Sequence, residues 1–479
     1  MATLGIDYEP RLKLLADTEV QRIHEASLEI LGTSGIRFEA PEALELLGGV
    51  GCDVDRSKMT VRIERGIVEQ ALQRCPKEFV QKGRTREHDL SFSISRVFFV
   101  NHSAPYIRDL ETGARRVPTL ADVGDLVRLI DALEHMHAIF IPALNVSDQP
   151  KEIALESVMA EIFRKTDKPT IGASFGGCAP WVVELANAVG EDVIGCASAV
   201  PPMIWKKEMC EGLITYAKAD HIVSVCTGIG MGTSGPATIA GTLVQGVAEL
   251  LAGIVMVQAA RPGVRVATAT QAVPMDLKTG DLATGAIEGG LVTAGFTQMS
   301  HYYGLPIRSQ FPMTDSKVPD QQAGSEKCTQ LMLIAMAGNN YLISGGGLAN
   351  ESILSYEQLV IDNEVYGMVG RALRGIEVTD ETMAVQAIRE VASGAQNFLS
   401  HRHTQRWCRK EMYQPKLSDR AVFQTWVNAG SKDVAERAKE VARQIIATHS
   451  APPLPAEVER ELTSILQAAQ RAKAGARTV

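Results

Sequence analysis

Short apolar runs alternate with longer stretches of helical periodicity between residues 97 and 373, and this alternation leaves few architectures open to the chain. The runs fall at 97–100, 138–144, 170–175, 202–205, 222–226, 265–270, 306–311 and 341–344. They are apolar at most positions rather than at every second one, which is how strands covered on both faces read. The spacing between them predicts helices over 119–134, 151–165, 180–189, 207–218, 237–260, 281–303, 322–337 and 357–373. Eight β-α repeats predict an α/β fold of the (β/α)8 TIM-barrel type. An open doubly wound sheet uses the same alternation and is the alternative. The glycine-rich stretch 228–235, GIGMGTSG, lacks the P-loop lysine and reads as a strand-to-helix loop that lets backbone approach a ligand closely.

The flanks read differently. Residues 1–95 predict an N-terminal α+β extension: a helix over 19–32 begun by a Thr18/Gln21 capping box and ended by Gly32, and a second helix from Pro41. A hairpin around DRSK and a third helix over 65–75 that stops before Pro76 complete it. The segment YIRDLETGARRV, between the first two runs, predicts another hairpin turning at Glu111, Thr112 and Gly113. The barrel would occupy 96–380 and a C-terminal helical segment 381–479, where Val434, Ala438, Val441 and Ile445 share one helical face and Val458, Leu462, Ile465 and Ala469 another.

A net charge of −8 argues against a protein that coats nucleic-acid phosphates. The eight cysteines are scattered without a C-x-x-C pair, as in reduced, mostly buried thiols of a cytoplasmic protein. The start of the chain has no apolar signal-peptide region, and the most apolar stretch, 250–257, is short of the ~20 residues that cross a bilayer. The expectation is therefore no membrane partner.

In a barrel the active site lies at the C-terminal ends of the strands. Those ends offer Asn101, His102, Asn145, Ser174, Phe175, Trp205, Cys226, Thr270, Gln271 and Gln310, with acids on the two loops that follow. Asp315, Lys317, Asp320 and Glu326 crowd the loop after the seventh run; Glu351 follows the eighth. Phe175, Trp205 and Phe311 end predicted strands and Tyr356 lies just past the last, so together they could cage an alkylammonium group by cation–π attraction. No local pairing of His or Cys has the spacing of a strong zinc site, although Cys226 with His102, or His401 with His403, could supply ligands. No G-x-S-x-G elbow occurs, and Cys178 has no evident histidine partner.

Six ordered segments carry a likeness: LADTEVQRIHEASLEILGTSGIRF, RDLETGARRVPTLADVGDLVRLIDAL, GTSGPATIAGTLVQGVAELLAGIVMVQAARPG, TDSKVPDQQAGSEK, SYEQLVIDNEV and HTQRWCRKEMYQPKLSDR. Together they resemble the trimethylamine methyltransferase family over about residues 15–445. The resemblance implies a (β/α)8 barrel that moves a methyl group from a methylamine to the cobalt of a partner corrinoid protein. Archaeal trimethylamine enzymes of that family carry pyrrolysine, whereas this chain has only the twenty ordinary residues. It therefore resembles the non-pyrrolysine branch that includes glycine betaine methyltransferases, and a quaternary amine is the implied substrate. A quaternary nitrogen leaves as a neutral tertiary amine and needs no general acid.

The resulting expectation is a corrinoid-dependent methyltransferase, its cobalamin carried by a partner protein, with no tightly bound metal and a homo-oligomeric state. Asp315, Glu351 and His403 are the candidate catalytic residues, and Phe175, Trp205, Gln310, Phe311, Lys317, Asn350 and Tyr356 the candidate substrate-binding residues. The alternatives are a zinc-dependent thiol methyltransferase using Cys226 or His102, and a non-catalytic quaternary-amine-binding protein.

Overall fold

The computed structural model describes residues 4–475 apart from 142, 176, 395 and 396. Eight parallel strands form its centre: β1 (Arg96–Asn101), β2 (Ile139–Phe140), β3 (Thr170–Ala173), β4 (Ile194–Ala199), β5 (Ile222–Thr227), β6 (Val266–Thr270), β7 (Ile307–Ser309) and β8 (Tyr341–Gly345). Each pairs with the next in sequence from β2 to β8, and β8 pairs with β1 through Tyr341↔Phe98. Val100 of β1 also forms a parallel bridge to Ala138, the residue before β2. The order lacks the reversal of a doubly wound sheet. Residues 230–235, within that glycine-rich stretch, read G-x-G-x-x-G and close a tight turn in which Thr233 N and Ser234 N donate to Gly230 O. Ile6–Asp7 adds a ninth, antiparallel strand against β1.

A helix follows each strand: α1 (Leu120–Ala132), α2 (Ala154–Lys165), α3 (Ala179–Val189), α4 (Lys207–Lys218), α5 (Ile239–Ala260), α6 (Ile287–Tyr302), α7 (Gln321–Met336) and α8 (Tyr356–Leu373). These lie close to the predicted spans. The fourth strand does not. It is β4, IGCASA, built of small residues, whereas Ile204–Trp205 pairs in parallel with Ile36–Phe38 of the N-terminal extension. The reason is visible at Gly195: a Cβ there would lie 2.0 Å from the Tyr216 ring of α4, so this strand needs residues too small to read as a buried run.

The N-terminal extension has the predicted helices, Asp17–Thr33, Pro41–Gly49 and Arg65–Arg74, and the hairpin Asp53–Asp55/Thr60–Arg62. The first helix starts earlier than Thr18 implies: Glu19 Oε2 accepts from Ala16 N at 2.8 Å, so Ala16 rather than Thr18 is the boundary residue. A further hairpin, Phe79–Gln81/Leu90–Phe92, closes the N-terminal ends of the strands. There Phe92 stacks on Tyr341 of β8 at 5.3 Å, and Gln81 Nε2 donates to Thr170 O of β3.

Covered by this extension, α5 is buried on nearly every side and mostly apolar, with Gln245, Glu249 and Gln258 as buried polar exceptions. By length and composition alone it could cross a bilayer, yet 72% of its apolar window is buried inside the protein. The C-terminal helices Val434–Thr448 and Ala456–Gly475 bury Ala438, Ala442, Leu462 and Ala469 against the outer helices. All eight cysteines are free thiols.

Candidate active site

Alternation along β4 and β5 sorts the two faces of the sheet. Gly195 faces α4, and Val225 faces Gly253 of α5, so Cys196 and Ser198 on β4 and Ser224 and Cys226 on β5 point to the concave side. Cys196 and Ser198 are only half-buried although their strand lies between two others. Solvent therefore reaches down the concave face past the C-terminal strand ends. Gly228 widens this route, because a Cβ there would meet only Ser198 Oγ at 3.4 Å and Gln271 Cβ at 4.0 Å.

At the opening stand His102 after β1, Phe175 after β3, Gln271 after β6, Gln310 after β7 and Glu351 on the loop after β8, whereas Ser174 packs against Gly212 of α4 on the helix side. Three of them hold buried polar atoms with no partner among the described residues: His102 Nδ1, Gln310 Oε1 and Glu351 Oε1. Unsatisfied buried groups are costly, and a cluster of them at strand ends marks a place where a ligand completes the bonding.

Glu351 is the centre of this cluster. Its Oε2 accepts from Gln271 Nε2 at 2.6 Å, and its carbonyl oxygen lies 3.4 Å from His102 Nε2. Burial pushes the Glu351 carboxyl up to about 7, against the opposing effect of the Gln271 bond. Burial, helped by the Lys327 charge, lowers His102 to about 4, so its ring is neutral at neutral pH. The opening thus combines an ionisable acid with a neutral imidazole.

The loop that presents Glu351 is strained. Ala349, Asn350 and Glu351 have φ of 53°, 54° and 64°, three consecutive non-glycine residues in the left-handed region. Such residues cost roughly 1–2 kcal/mol each and persist only where surrounding contacts impose them. Here Ala349 N donates to Ser316 O and Asn350 N to Thr314 O. Behind the loop, buried Lys327 of α7 donates to Asp362 Oδ2 of α8 at 2.5 Å and to Ser344 O and Gly347 O, and Asp362 Oδ2 also accepts from Gly346 N.

Glu351, Gln310 and Phe175 all stand at the C-terminal strand ends. Asn350 shares the strained turn, but its Nδ2 donates to Leu282 O on a neighbouring loop. Asp315 is engaged elsewhere, accepting from Thr284 N, Thr284 Oγ1 and Gly285 N, and Lys317 is exposed with Nζ on Asp315 O. Phe311 is fully buried against Gly289 of α6, on the helix side of the sheet. Trp205 is fully buried against Gly253 of α5 and donates from Nε1 to Glu249 O. Tyr356 opens α8 with its hydroxyl toward Asp122 O, and His403 sits beyond α8, bonded to Glu381 O and stacked on Trp407. The four aromatics therefore do not converge on one rim.

His102 entered the sequence reading as a strand-end residue and a possible metal ligand but not as a substrate-site residue, and the concave-facing residues of β4 did not enter it at all. Burial raises the Cys226 thiol, so it is protonated in the structure as it stands. Among the described residues no three His, Cys, Asp or Glu side chains are grouped as a metal site.

The profile of the trimethylamine methyltransferase (MTTB) family matches residues 5–475. The chain belongs to the trimethylamine methyltransferase family. It is accordingly a methyltransferase, and its ordinary residue set is that of the branch without pyrrolysine. It is 31% identical over 476 residues to the glycine betaine methyltransferase of Desulfitobacterium hafniense strain Y51, covering 97% of this chain and 98% of that one. It is 34% identical over 466 residues to the trimethylamine methyltransferase MttB of D. hafniense strain DSM 10664 / DCB-2, covering 94% and 93%. Among solved structures, the hydroxylamine MtmB complex superposes with a TM-score of 0.55 at 16% identity, covering 90% of this chain and 88% of that one. The Methanosarcina barkeri monomethylamine methyltransferase (MtmB) superposes with a TM-score of 0.50 at 15% identity, covering 88% and 96%. These structural likenesses concern the α/β fold.

Proposed function

We propose that the chain transfers a methyl group from a small quaternary amine to the corrinoid cofactor of a partner protein, at the concave opening around Glu351. The observation that carries this reading is the buried Glu351 carboxyl, held on a strained turn with one oxygen unpartnered and, among the described residues, with no Lys, Arg or His nitrogen within ion-pair distance of the carboxylate. A permanent cation is the ligand that such a group lacks. The bridge between Val100 and Ala138 supports reading the sheet as a closed (β/α)8 barrel spanning 96–380, between an extension at 1–95 and the C-terminal segment 381–479.

The bound corrinoid would supply reduced cobalt as the nucleophile. The residues of this chain bind and orient. Glu351, ionised by the incoming cation, would face the ammonium charge, and the half-buried Phe175 ring would offer an aromatic face. Gln271 fixes the Glu351 carboxyl in place. When the C–N bond breaks, nitrogen keeps the electron pair and departs as a neutral tertiary amine. Neutral His102 adds no competing positive charge, and catalysis rests on alignment and exclusion of water. Leu277 and Leu282, exposed on the loop after β6, provide an apolar edge where a partner could seat.

The test is reconstitution with candidate corrinoid proteins, a cobalt reductant and a panel of quaternary and tertiary amines, following the cobalt absorbance. Methylation from a quaternary amine alone is expected. Methylation only from tertiary amines, or from none in any pairing, would overturn the reading.

A further inference from the structure

Glu249 sits in the middle of α5, a helix buried on nearly every side where an apolar residue would pack, and it is 0% exposed. Three donors meet its carboxyl: Thr227 Oγ1 on Oε2 at 2.5 Å, and Met203 N at 2.9 Å and Gln245 Nε2 at 3.0 Å on Oε1. Burial raises the carboxyl, and the groups that oppose burial are these three donors, none of them a cation. Burying an acid on such terms is costly, so packing alone does not account for it.

The donors come from separate elements around the opening. Thr227 ends β5, and Met203 lies on the loop after β4. Gln245 Nε2 also donates to Ser234 O, in the tight turn after β5, at 3.1 Å. Met203 has a φ of 56°, a left-handed conformation held by the Glu249 bond to its N–H and by Arg37 N donating to its carbonyl. From Thr227 the connection continues into the site: Thr227 O accepts from Gln271 N at 2.9 Å, and Gln271 Nε2 donates to Glu351 Oε2 at 2.6 Å.

We propose that Glu249 is a positioning residue of the candidate active site, which fixes the Glu351 carboxyl through Thr227 and Gln271 without itself touching substrate. The proposal rests on the reading of Glu351 given above and adds the buried group that holds it in register. A carboxyl that must face a reacting ammonium gains from bracing of this kind, because small displacements at such a group cost catalysis heavily.

Calorimetry with tetramethylammonium at several pH values, joined to hydrogen exchange of residues 346–355, tests the link on the full chain. Thr227→Val keeps the side chain's shape and removes the hydroxyl alone. It should weaken the cation roughly 10-fold and speed exchange of that segment. It should also move upward the pH below which affinity falls, since the Gln271 bond holds the Glu351 carboxyl down against burial. Glu249→Leu should do the same more strongly. Glu249→Gln keeps an acceptor for Met203 N and Gln245 Nε2 and a donor for Thr227 Oγ1, and should bind like wild type. Variants that melt lower yet keep the wild-type affinity and pH profile would make Glu249 a structural residue only and overturn the proposal, as would a Glu249→Gln that fails like Glu249→Leu. If wild type binds no quaternary cation, the methyl-transfer reading fails separately; faster exchange of 346–355 in Thr227→Val would then still support the link, and unchanged exchange would overturn it.

Discussion

Glu351 combines a carboxyl raised to about 7 with an oxygen that has no partner among the described residues. A cation binds the ionised form, so affinity for a quaternary amine should fall about tenfold per pH unit below 7 and level off above it. Titration calorimetry across pH 5.5–8.5 measures this directly. Glu351→Gln should bind the cation roughly 10- to 100-fold more weakly and lose the pH dependence. The effect on stability has the opposite direction. The folded-state value lies above the ordinary 4.5, so the stability this group contributes is whole below about 4.5 and is lost as pH rises through 7. Glu351→Gln should therefore melt no lower than wild type at pH 8. A pH-independent affinity in the wild type would contradict this account of the residue.

At the level of elements, the strained turn depends on the α7–α8 pair behind it. Lys327→Met removes the cation that satisfies Asp362, Ser344 O and Gly347 O, leaving a buried carboxylate unpaired. The expected cost is about 3–5 kcal/mol in chemical denaturation. A loss below about 1 kcal/mol would mean that the pair does not brace the loop. On α5, Gly253→Ala would set a Cβ 2.5 Å from Val225 and 2.6 Å from Trp205, an overpacking expected to cost about 1–3 kcal/mol.

The same contacts explain what the sequence disclosed. Strands buried under branched side chains, such as β5 with Ile222, Val223 and Val225, read plainly as apolar runs, and the helices between them followed from spacing. β4 did not, because close approach of Tyr216 requires Gly195, and small residues carry little hydrophobic signal. The neighbouring Ile204–Trp205 looked like a strand of the same sheet, but its partner at Ile36–Phe38 is far away in sequence. Position along the chain put Glu351, Gln310 and Phe175 at strand ends, where the structure has them. It could not tell which side of the sheet Phe311 and Trp205 face, since that depends on Gly289 and Gly253 of the covering helices.

Over the whole molecule, apolar exposure concentrates in residues 376–434, where Ile376, Leu399, Val422 and Phe423 are each more than 70% exposed. Few side chains of this segment are buried, with Ala387, His401 and Leu417 among them. Exposed apolar surface on that scale marks association, so the chain is expected to form a discrete oligomer at micromolar concentration. Light scattering coupled to size exclusion should give a fixed multiple of the chain mass, and Leu399→Asp with Phe423→Asp should reduce it. A monomer at tens of micromolar would contradict the expectation.

The central claim concerns where one methyl group goes. A quaternary amine labelled with 13C in its N-methyl groups, incubated with the enzyme and an equal amount of reduced partner corrinoid protein, can be followed by NMR and mass spectrometry. The account predicts one labelled methyl on the corrinoid for every molecule of tertiary amine formed, with nothing transferred when the chain is omitted. Label that stays on nitrogen while the reduced cobalt is present and the amine is bound would contradict it.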